Sequence, residues 1–408
     1  VTDPVDERPA RIAIVGAGPA GIYAADSLER SGVPVSVDVL EHLATPYGLV
    51  RYGVAPDHPK TRTIAAVLGR MLDAPQVRFL GNVAYGTEID LATLRRHYDA
   101  VIYAVGAADG RRLGIPGEDL PGSLSATAFV EWYNDHPHCT VDVDHLLEAN
   151  AVAVIGAGNV AIDVARVLLA SRERLAKGDV SDEVLDALHQ AKVEDVHLIA
   201  RRGPVEAKFT TLELRELGHL EGVDVRVDPA DIPADDPPDA PRRVRTNLAV
   251  FRDWATRPAT DAPRRLHLHF WRRPVEIRGD EHGITEVVLD GQETLAVQAI
   301  LAAVGYKGRP LADLPFDEQT GTLPNREGRV VDENGEVIPG VYAAGWIKRG
   351  PSGVIGTNKA DAAETVRALL ADLPTLTPAQ EPAEEAIDAR LRKSAPPAAL
   401  PATPQPLA

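Results

Sequence analysis

The chain has 408 residues, 44% of them apolar and 25% charged, with a net charge of -17 and a single cysteine, Cys139. One cysteine excludes a dithiol redox centre and an iron–sulfur cluster held by this chain alone, since such a cluster takes about four protein ligands. The negative charge argues against nucleic-acid binding, and no apolar run approaches the roughly 20 residues of a membrane-spanning helix.

Taken in chain order, the first apolar run covers residues 11–15 and ends at Gly16. Nothing ahead of it has the layout of a signal peptide, which predicts a cytoplasmic protein. A helical segment at 20–30, a β-rich run at 35–40 and another at 98–105 follow, the alternation of a parallel sheet. The pattern restarts with a strand at 151–155, a helix at 160–170 and a strand at 196–200. Further apolar runs at 299–304 and 340–344 lead to a glycine-rich turn and a helix from about 354 to 370. Residues 231–241 are acidic and proline-rich, which predicts a loop. Proline and alanine dominate beyond 373, which predicts an extended or disordered tail with one short helix near 381–392.

Two of these strands end in glycine fingerprints. In Gly16-Ala17-Gly18-Pro19-Ala20-Gly21, the first glycine makes a tight turn, the second lets backbone approach a pyrophosphate, and the third lets helix and strand pack closely. The helix that follows turns its unpaired N–H groups toward the phosphates. Glu41 closes the next strand, where a carboxylate can accept both ribose hydroxyls. The second fingerprint, Gly156-Ala157-Gly158-Asn159-Val160-Ala161, is also set between a strand and a helix. Its following strand ends in Arg201-Arg202-Gly203-Pro204. An acid there favours NAD, whereas two arginines suit the 2′-phosphate of NADP; the plainer alternative is a solvated basic strand end. The reading is an FAD site followed by an NADP(H) site, with no metal.

At this point the residues resemble ferredoxin–NADP reductases of the adrenodoxin-reductase type. The resemblance covers most of residues 11–372 and is carried by residues 47–60, 156–166, 201–204, 209–217 and 345–358. It implies an α/β chain of two three-layer Rossmann-like dinucleotide-binding domains, the NADP domain inserted into the FAD domain. The FAD domain would take residues 1–108 and 311–375, the NADP domain 109–310, and the tail 376–408. The implied function passes electrons from NADPH through FAD to a ferredoxin-type iron–sulfur protein, by hydride transfer and then single-electron steps. The alternatives are a non-catalytic FAD/NADPH-binding sensor, or an electron-input subunit of a larger flavoenzyme complex.

The resemblance also implies site residues. Leu49, Val83 and Trp346 would touch FAD, with Trp346 standing where many two-dinucleotide flavoproteins carry an aspartate. The backbone of Gly353, Val354 and Ile355 would face the flavin pyrimidine edge, where a helix N-terminus offsets the negative charge of reduction. His58 and Glu216 would lie near the hydride path, and Glu213 at the nicotinamide-nucleotide site. Arg242, Arg243 and Arg245 form a basic cluster in an acidic chain, a candidate dock for an acidic ferredoxin.

Overall fold

Ile12 and Ile14 point to one side of the strand Ala10–Val15, while Ala13 and Val15 point to the other, and all four are buried. A strand buried on both faces belongs inside a layered α/β sheet. The computed structural model describes residues 8–394, the side chains of Lys60 and Ser394 excepted. Within it the chain forms two compact units. One takes residues up to 54, 60–109 and from 306 onward; the other takes 55–59 and 110–305.

The first unit is built on a seven-stranded sheet. From edge to edge its strands are Asn325–Arg326, Arg329–Val331, Val337–Ala343, Ala100–Tyr103, Ala10–Val15, Val35–Leu40 and Val77–Leu80. The last five are mutually parallel, with Ala10 opposite Val35 and Ile12 opposite Ala100. Ile12, Ile14, Val37, Val39 and Ile102 pack against the helices Pro19–Glu29, Ile64–Leu72 and Thr357–Asp372. Ala13, Val15, Leu40, Val101 and Tyr103 pack on the other face with Leu91 and Leu94 of the helix Leu91–His97.

Ile387 joins that second cluster at 0% exposure, which corrects the expectation of a disordered tail from 376. The helix Glu384–Ser394 docks on this unit, with Leu391 packed beside Ile387. Ahead of it, the Glu381 N–H donates to the Arg96 carbonyl and the Ala379 N–H donates to Asp99. The Pro/Ala-rich composition conceals an apolar and acidic stripe at helical spacing, Glu384, Ile387, Asp388 and Leu391. Residues 395–408 lie outside the described residues.

In the second unit the parallel sheet has six strands: Ser123–Ser125, Ala299–Ala302, Ala151–Ile155, Asp195–Ile199, Arg264–His269 and Val223–Val227. One face, including Val152, Val154, Val196, Leu198, Leu266 and Leu268, packs against the helices Ala126–Tyr133, Asn159–Leu169 and Arg242–Thr256. The opposite layer is not helical. A three-stranded antiparallel sheet, Pro274–Asp280, Gly283–Leu289 and Thr294–Ala296, presses Ile277, Ile284, Val287 and Leu289 onto Ala153, Ile155, Ile199 and Ile300. Among the described residues no helix is long and apolar enough to cross a membrane.

Candidate functional site

In the first unit the strand Ala10–Val15 runs directly into the fingerprint. A side chain at Gly16 would meet the Ala104 carbonyl oxygen at 2.6 Å, and one at Gly21 would meet the Gly16 carbonyl oxygen at 2.0 Å. Both glycines are therefore required for strand, turn and helix to pack. Gly18 differs: nothing lies within 4 Å of where its Cβ would be, and it caps the helix Pro19–Glu29 without a side-chain hydrogen bond. An open glycine at an uncapped helix N-terminus fits the approach of a pyrophosphate.

The other expected FAD residues gather around this turn. The buried carboxylate of Glu41 accepts from the Ala17 N–H at 2.8 Å and the Leu43 N–H at 3.3 Å. The Val83 N–H donates to the Glu41 carbonyl at 2.8 Å, which ties the loop after the strand Val77–Leu80 to the same place. The Tyr47 N–H donates to the Ala17 carbonyl at 2.8 Å. Tyr47 holds a φ of 88°, uncommon for a non-glycine residue. Leu49 then opens the short helix Leu49–Tyr52. On the far side, a Cβ at Gly345 would lie 2.5 Å from the Ala20 side chain. Trp346 follows, half-buried, its indole N–H on the Ser352 carbonyl at 3.2 Å and its ring 5.5 Å from that of Tyr306. Gly353, Val354 and Ile355 precede the helix Thr357–Asp372, and the Val354 N–H donates to the Thr357 hydroxyl at 3.1 Å.

The second unit repeats the arrangement. Gly156 is fixed to the neighbouring strand by its N–H on the Ile199 carbonyl at 3.0 Å. Gly158 caps the helix Asn159–Leu169, again with nothing within 4 Å of its would-be Cβ. Val160 and Ala161 occupy the first turn, and the Asn159 side-chain oxygen accepts from the Thr210 N–H at 2.9 Å. Arg201 and Arg202 stand at the end of the strand Asp195–Ile199, both exposed, and neither forms a side-chain hydrogen bond or ion pair among the described residues. Two uncompensated guanidiniums beside an open helix N-terminus fit a phosphate ester.

His58, Glu213 and Glu216 meet within this same unit. His58 Nε2 lies 2.9 Å from Glu216 and 3.4 Å from Glu213. Both glutamates project from the helix Thr211–Leu217, capped by the Thr210 hydroxyl. Beneath them, fully buried Arg166 holds Asp57 through two bonds of 2.7 and 2.9 Å and lies 2.8 Å from Asp163. Arg174 adds contacts of 3.1 Å to both Asp57 and Glu216. Burial pushes the Glu213 carboxyl up to about 7, with the neighbouring Asp163 adding to the effect. Burial also raises Asp163. Burial opposes ionisation of Asp57 as well, but the bonds to Arg166 hold it below the ordinary carboxylate range. The cluster can store and release a proton near neutrality. Asp57, His58 and Glu216 also bring ligand-type atoms within 4.8 Å of one another, yet the two guanidiniums already supply the charge that a cation would.

A sequence model of the pyridine nucleotide-disulphide oxidoreductases matches residues 10–229. NADPH-ferredoxin reductase FprA of Mycobacterium tuberculosis is 46% identical over 391 residues, covering 90% of this chain and 84% of the relative. The chain belongs to the pyridine nucleotide-disulphide oxidoreductase family. The mitochondrial NADPH:adrenodoxin oxidoreductase of Arabidopsis thaliana is 38% identical over 399 residues, covering 90% and 83%. The solved structure of Mycobacterium tuberculosis FprA in complex with NADPH matches with a TM-score of 0.89 at 42% identity, covering 95% and 90%.

This member of the pyridine nucleotide-disulphide oxidoreductases has a single cysteine, Cys139, so it cannot form an intrachain disulphide. Its expected site residues fall into two groups. Gly16 to Gly21, Glu41, Leu49, Val83, Trp346 and Gly353 to Ile355 lie in the first unit; His58, Gly156 to Ala161, Arg201, Arg202, Glu213 and Glu216 lie in the second. Asp57, Asp163, Arg166 and Arg174 were not singled out from the sequence. Their only local signal is the i, i+3 spacing of Asp163 and Arg166. Arg242, Arg243 and Arg245 are all exposed. One nitrogen of the Arg243 guanidinium also donates to the Ala207 and Phe209 carbonyls at 3.0 and 2.9 Å, which ties the start of the helix Arg242–Thr256 to that segment while leaving the charge unpaired among the described residues.

Proposed function

We propose that this chain is an NADPH–ferredoxin reductase, its first unit binding FAD and its second binding NADPH. The observation that carries the reading is the pair of open glycines, Gly18 and Gly158, each capping a helix, combined with Arg201 and Arg202 unpaired beside the second. Bound FAD would supply the chemistry that the single cysteine cannot, taking a hydride from NADPH and releasing its two electrons one at a time.

The chain's own residues bind, orient and neutralise. The amides of the first turn of Pro19–Glu29 hold the FAD pyrophosphate, while Glu41, fixed by the Ala17 N–H, takes the ribose hydroxyls. Leu49 and Val83 line the same cofactor. The amides at Gly353, Val354 and Ile355, ahead of the long helix Thr357–Asp372, stabilise negative charge at the flavin pyrimidine edge. Trp346 packs beside the ring. The turn at Gly158, with Asn159, Val160 and Ala161, holds the NADP pyrophosphate, and Arg201 and Arg202 hold the 2′-phosphate. Glu213 contacts the nicotinamide nucleotide. His58 and Glu216, 2.9 Å apart, carry the proton that accompanies turnover.

The acceptor is an acidic ferredoxin-type iron–sulfur protein docking at Arg242, Arg243 and Arg245, exposed cations at the start of Arg242–Thr256. The deciding experiment is anaerobic. NADPH should bleach the bound flavin within turnover time, and added ferredoxin should then stimulate cytochrome c reduction. Slow or absent bleaching would favour a cofactor-holding sensor. Reversing Arg242 and Arg245 to glutamate should raise KM for ferredoxin and spare ferricyanide; equal loss with both acceptors would remove the dock from this surface.

A further inference from the structure

Trp271 keeps 53% of its surface exposed, one of few large apolar side chains in this state. It also holds a φ of 57°, a conformation bulky residues rarely adopt. Three backbone bonds impose that geometry. The Ala200 N–H donates to the His269 carbonyl at 2.8 Å, the Arg272 N–H to the Ala200 carbonyl at 3.1 Å, and the Trp271 N–H to the Arg202 carbonyl at 3.3 Å. Arg272 holds the turn from the other side through Phe270 and Glu293. The indole is thereby laid against Gly203, the residue after the arginine pair. A Cβ there would collide with Cζ2 at 2.2 Å and Cε2 at 2.5 Å. Only glycine at 203 permits this approach.

From this arrangement we propose that Trp271 is the stacking platform for the adenine ring of NADPH. The inference rests on the assignment of Arg201 and Arg202 to the 2′-phosphate. That phosphate and the adenine are substituents of one ribose, so whatever recognises the base must lie within a ribose of whatever recognises the phosphate. Trp271 satisfies this constraint because its ring edge rests on the main chain that carries the two arginines. A flat aromatic face suits a purine, and base-on-aromatic stacking needs no hydrogen-bond code. The strand that leads to Trp271, Arg264–His269, pairs with Asp195–Ile199 in parallel register, so both recognition elements emerge from the same sheet end, where nucleotides bind open α/β sheets.

The test compares the wild-type holoenzyme with Trp271→Ala, Trp271→Leu, Trp271→Phe and the double variant Arg201→Ala/Arg202→Ala, using ferricyanide as acceptor. Trp271→Ala should raise KM for NADPH and for NADH by the same factor, about five- to a hundredfold, with kcat unchanged. Trp271→Phe should restore most of the loss and Trp271→Leu should not. 2′,5′-ADP should quench indole emission in the wild type, and the quench should vanish in Trp271→Phe, although the nucleotide still inhibits that variant. The arginine variant should lower the preference for NADPH over NADH, which Trp271→Ala leaves intact. KM values within twofold of wild type in Trp271→Ala, a rise for NADPH alone, or full rescue by leucine would each overturn the platform. If the arginine variant keeps its NADPH preference while Trp271→Ala loses both nucleotides, the phosphate assignment fails and the base platform survives it.

Discussion

Glu384, in the last described helix, stands 3.1 Å from Arg78, which emerges from the sheet of the first unit. Arg78 in turn grips the fully buried Asp38 through two bonds of 2.8 Å, and Asp38 is also held by Arg11 at 2.5 Å and the Tyr98 hydroxyl at 2.7 Å. The bonds to Arg78 and the charge of Arg11 keep Asp38 below the ordinary carboxylate range despite its burial. Glu384 closes this network from outside, and Ile387 fills the apolar gap beside it.

Truncation after Thr377 should therefore destabilise the first unit. Burial of one isoleucine contributes about 1.5–3 kcal/mol, so loss of the helix should lower Tm by several degrees to about 10 °C and reduce flavin retention on dilution. Differential scanning fluorimetry on the truncated holoenzyme checks this. An unchanged Tm would mean that the helix rests on the unit without stabilising it.

Arg201 and Arg202 should set the nucleotide preference. A charge-assisted bond to phosphate contributes about 1.5–3 kcal/mol, so each single alanine variant should cost about ten- to a hundredfold in NADPH over NADH selectivity. The double variant should cost more, but less than the product, since both residues serve one phosphate. Turnover at saturating NADPH should hardly change, because the 2′-phosphate is remote from the transferred hydride. Equal damage to NADH kinetics would place the pair elsewhere.

Glu213, pushed up to about 7, gives the second unit a pH signature. A carboxyl whose folded pKa exceeds its unfolded value stabilises the fold fully at low pH, and that contribution fades as pH rises through the folded value. Stability toward urea should thus decline between about pH 5 and 8, with a slope of at most about 1.4 kcal/mol per pH unit for one proton. Glu213→Gln, which cannot ionise, should show a shallower decline. Identical slopes in both proteins would assign the effect to Asp163 instead.

Arg166→Met tests the buried base of the cluster. Removing a fully buried guanidinium leaves Asp57 and Asp163 poorly compensated, a loss of about 3–5 kcal/mol. Adding Asp57→Asn and Asp163→Asn should recover part of it. Chemical denaturation of the three proteins provides the comparison. A cost below about 1 kcal/mol for the single change would mean that Arg174 and solvent compensate the carboxylates unaided.

Both strand–turn–helix units were legible in the sequence because their determinants are local: a strand, a glycine pattern and a helix within about a dozen residues. The exposed position of Arg201 and Arg202 at the end of the next strand was legible for the same reason. The core of the proton-storing cluster was not, since Asp57 and Arg166 meet 109 positions apart and neither belongs to a local motif. His58 and Glu216 were reached only through family resemblance. The last helix was legible near 381–392 and stands at Glu384–Ser394, but its docking was not foreseen, because average composition hides position: Glu384, Ile387, Asp388 and Leu391 look like part of a tail until their spacing is considered. The antiparallel layer over Ile155 and Ile199 was not anticipated, because strand signals do not say which sheet a strand joins.

Residues 55–59 belong to the second unit, although residues on both sides of them belong to the first. The second unit is consequently not a transplantable cassette. Excising residues 110–305 for expression or for grafting onto another flavoprotein would leave behind Asp57, the carboxylate that Arg166 holds by two bonds, together with His58. Such a fragment would carry a buried, half-compensated arginine and an incomplete proton store. Supplying the missing five residues, as a linked strand of chain or as a peptide in trans, is the condition for treating this half as an independent module.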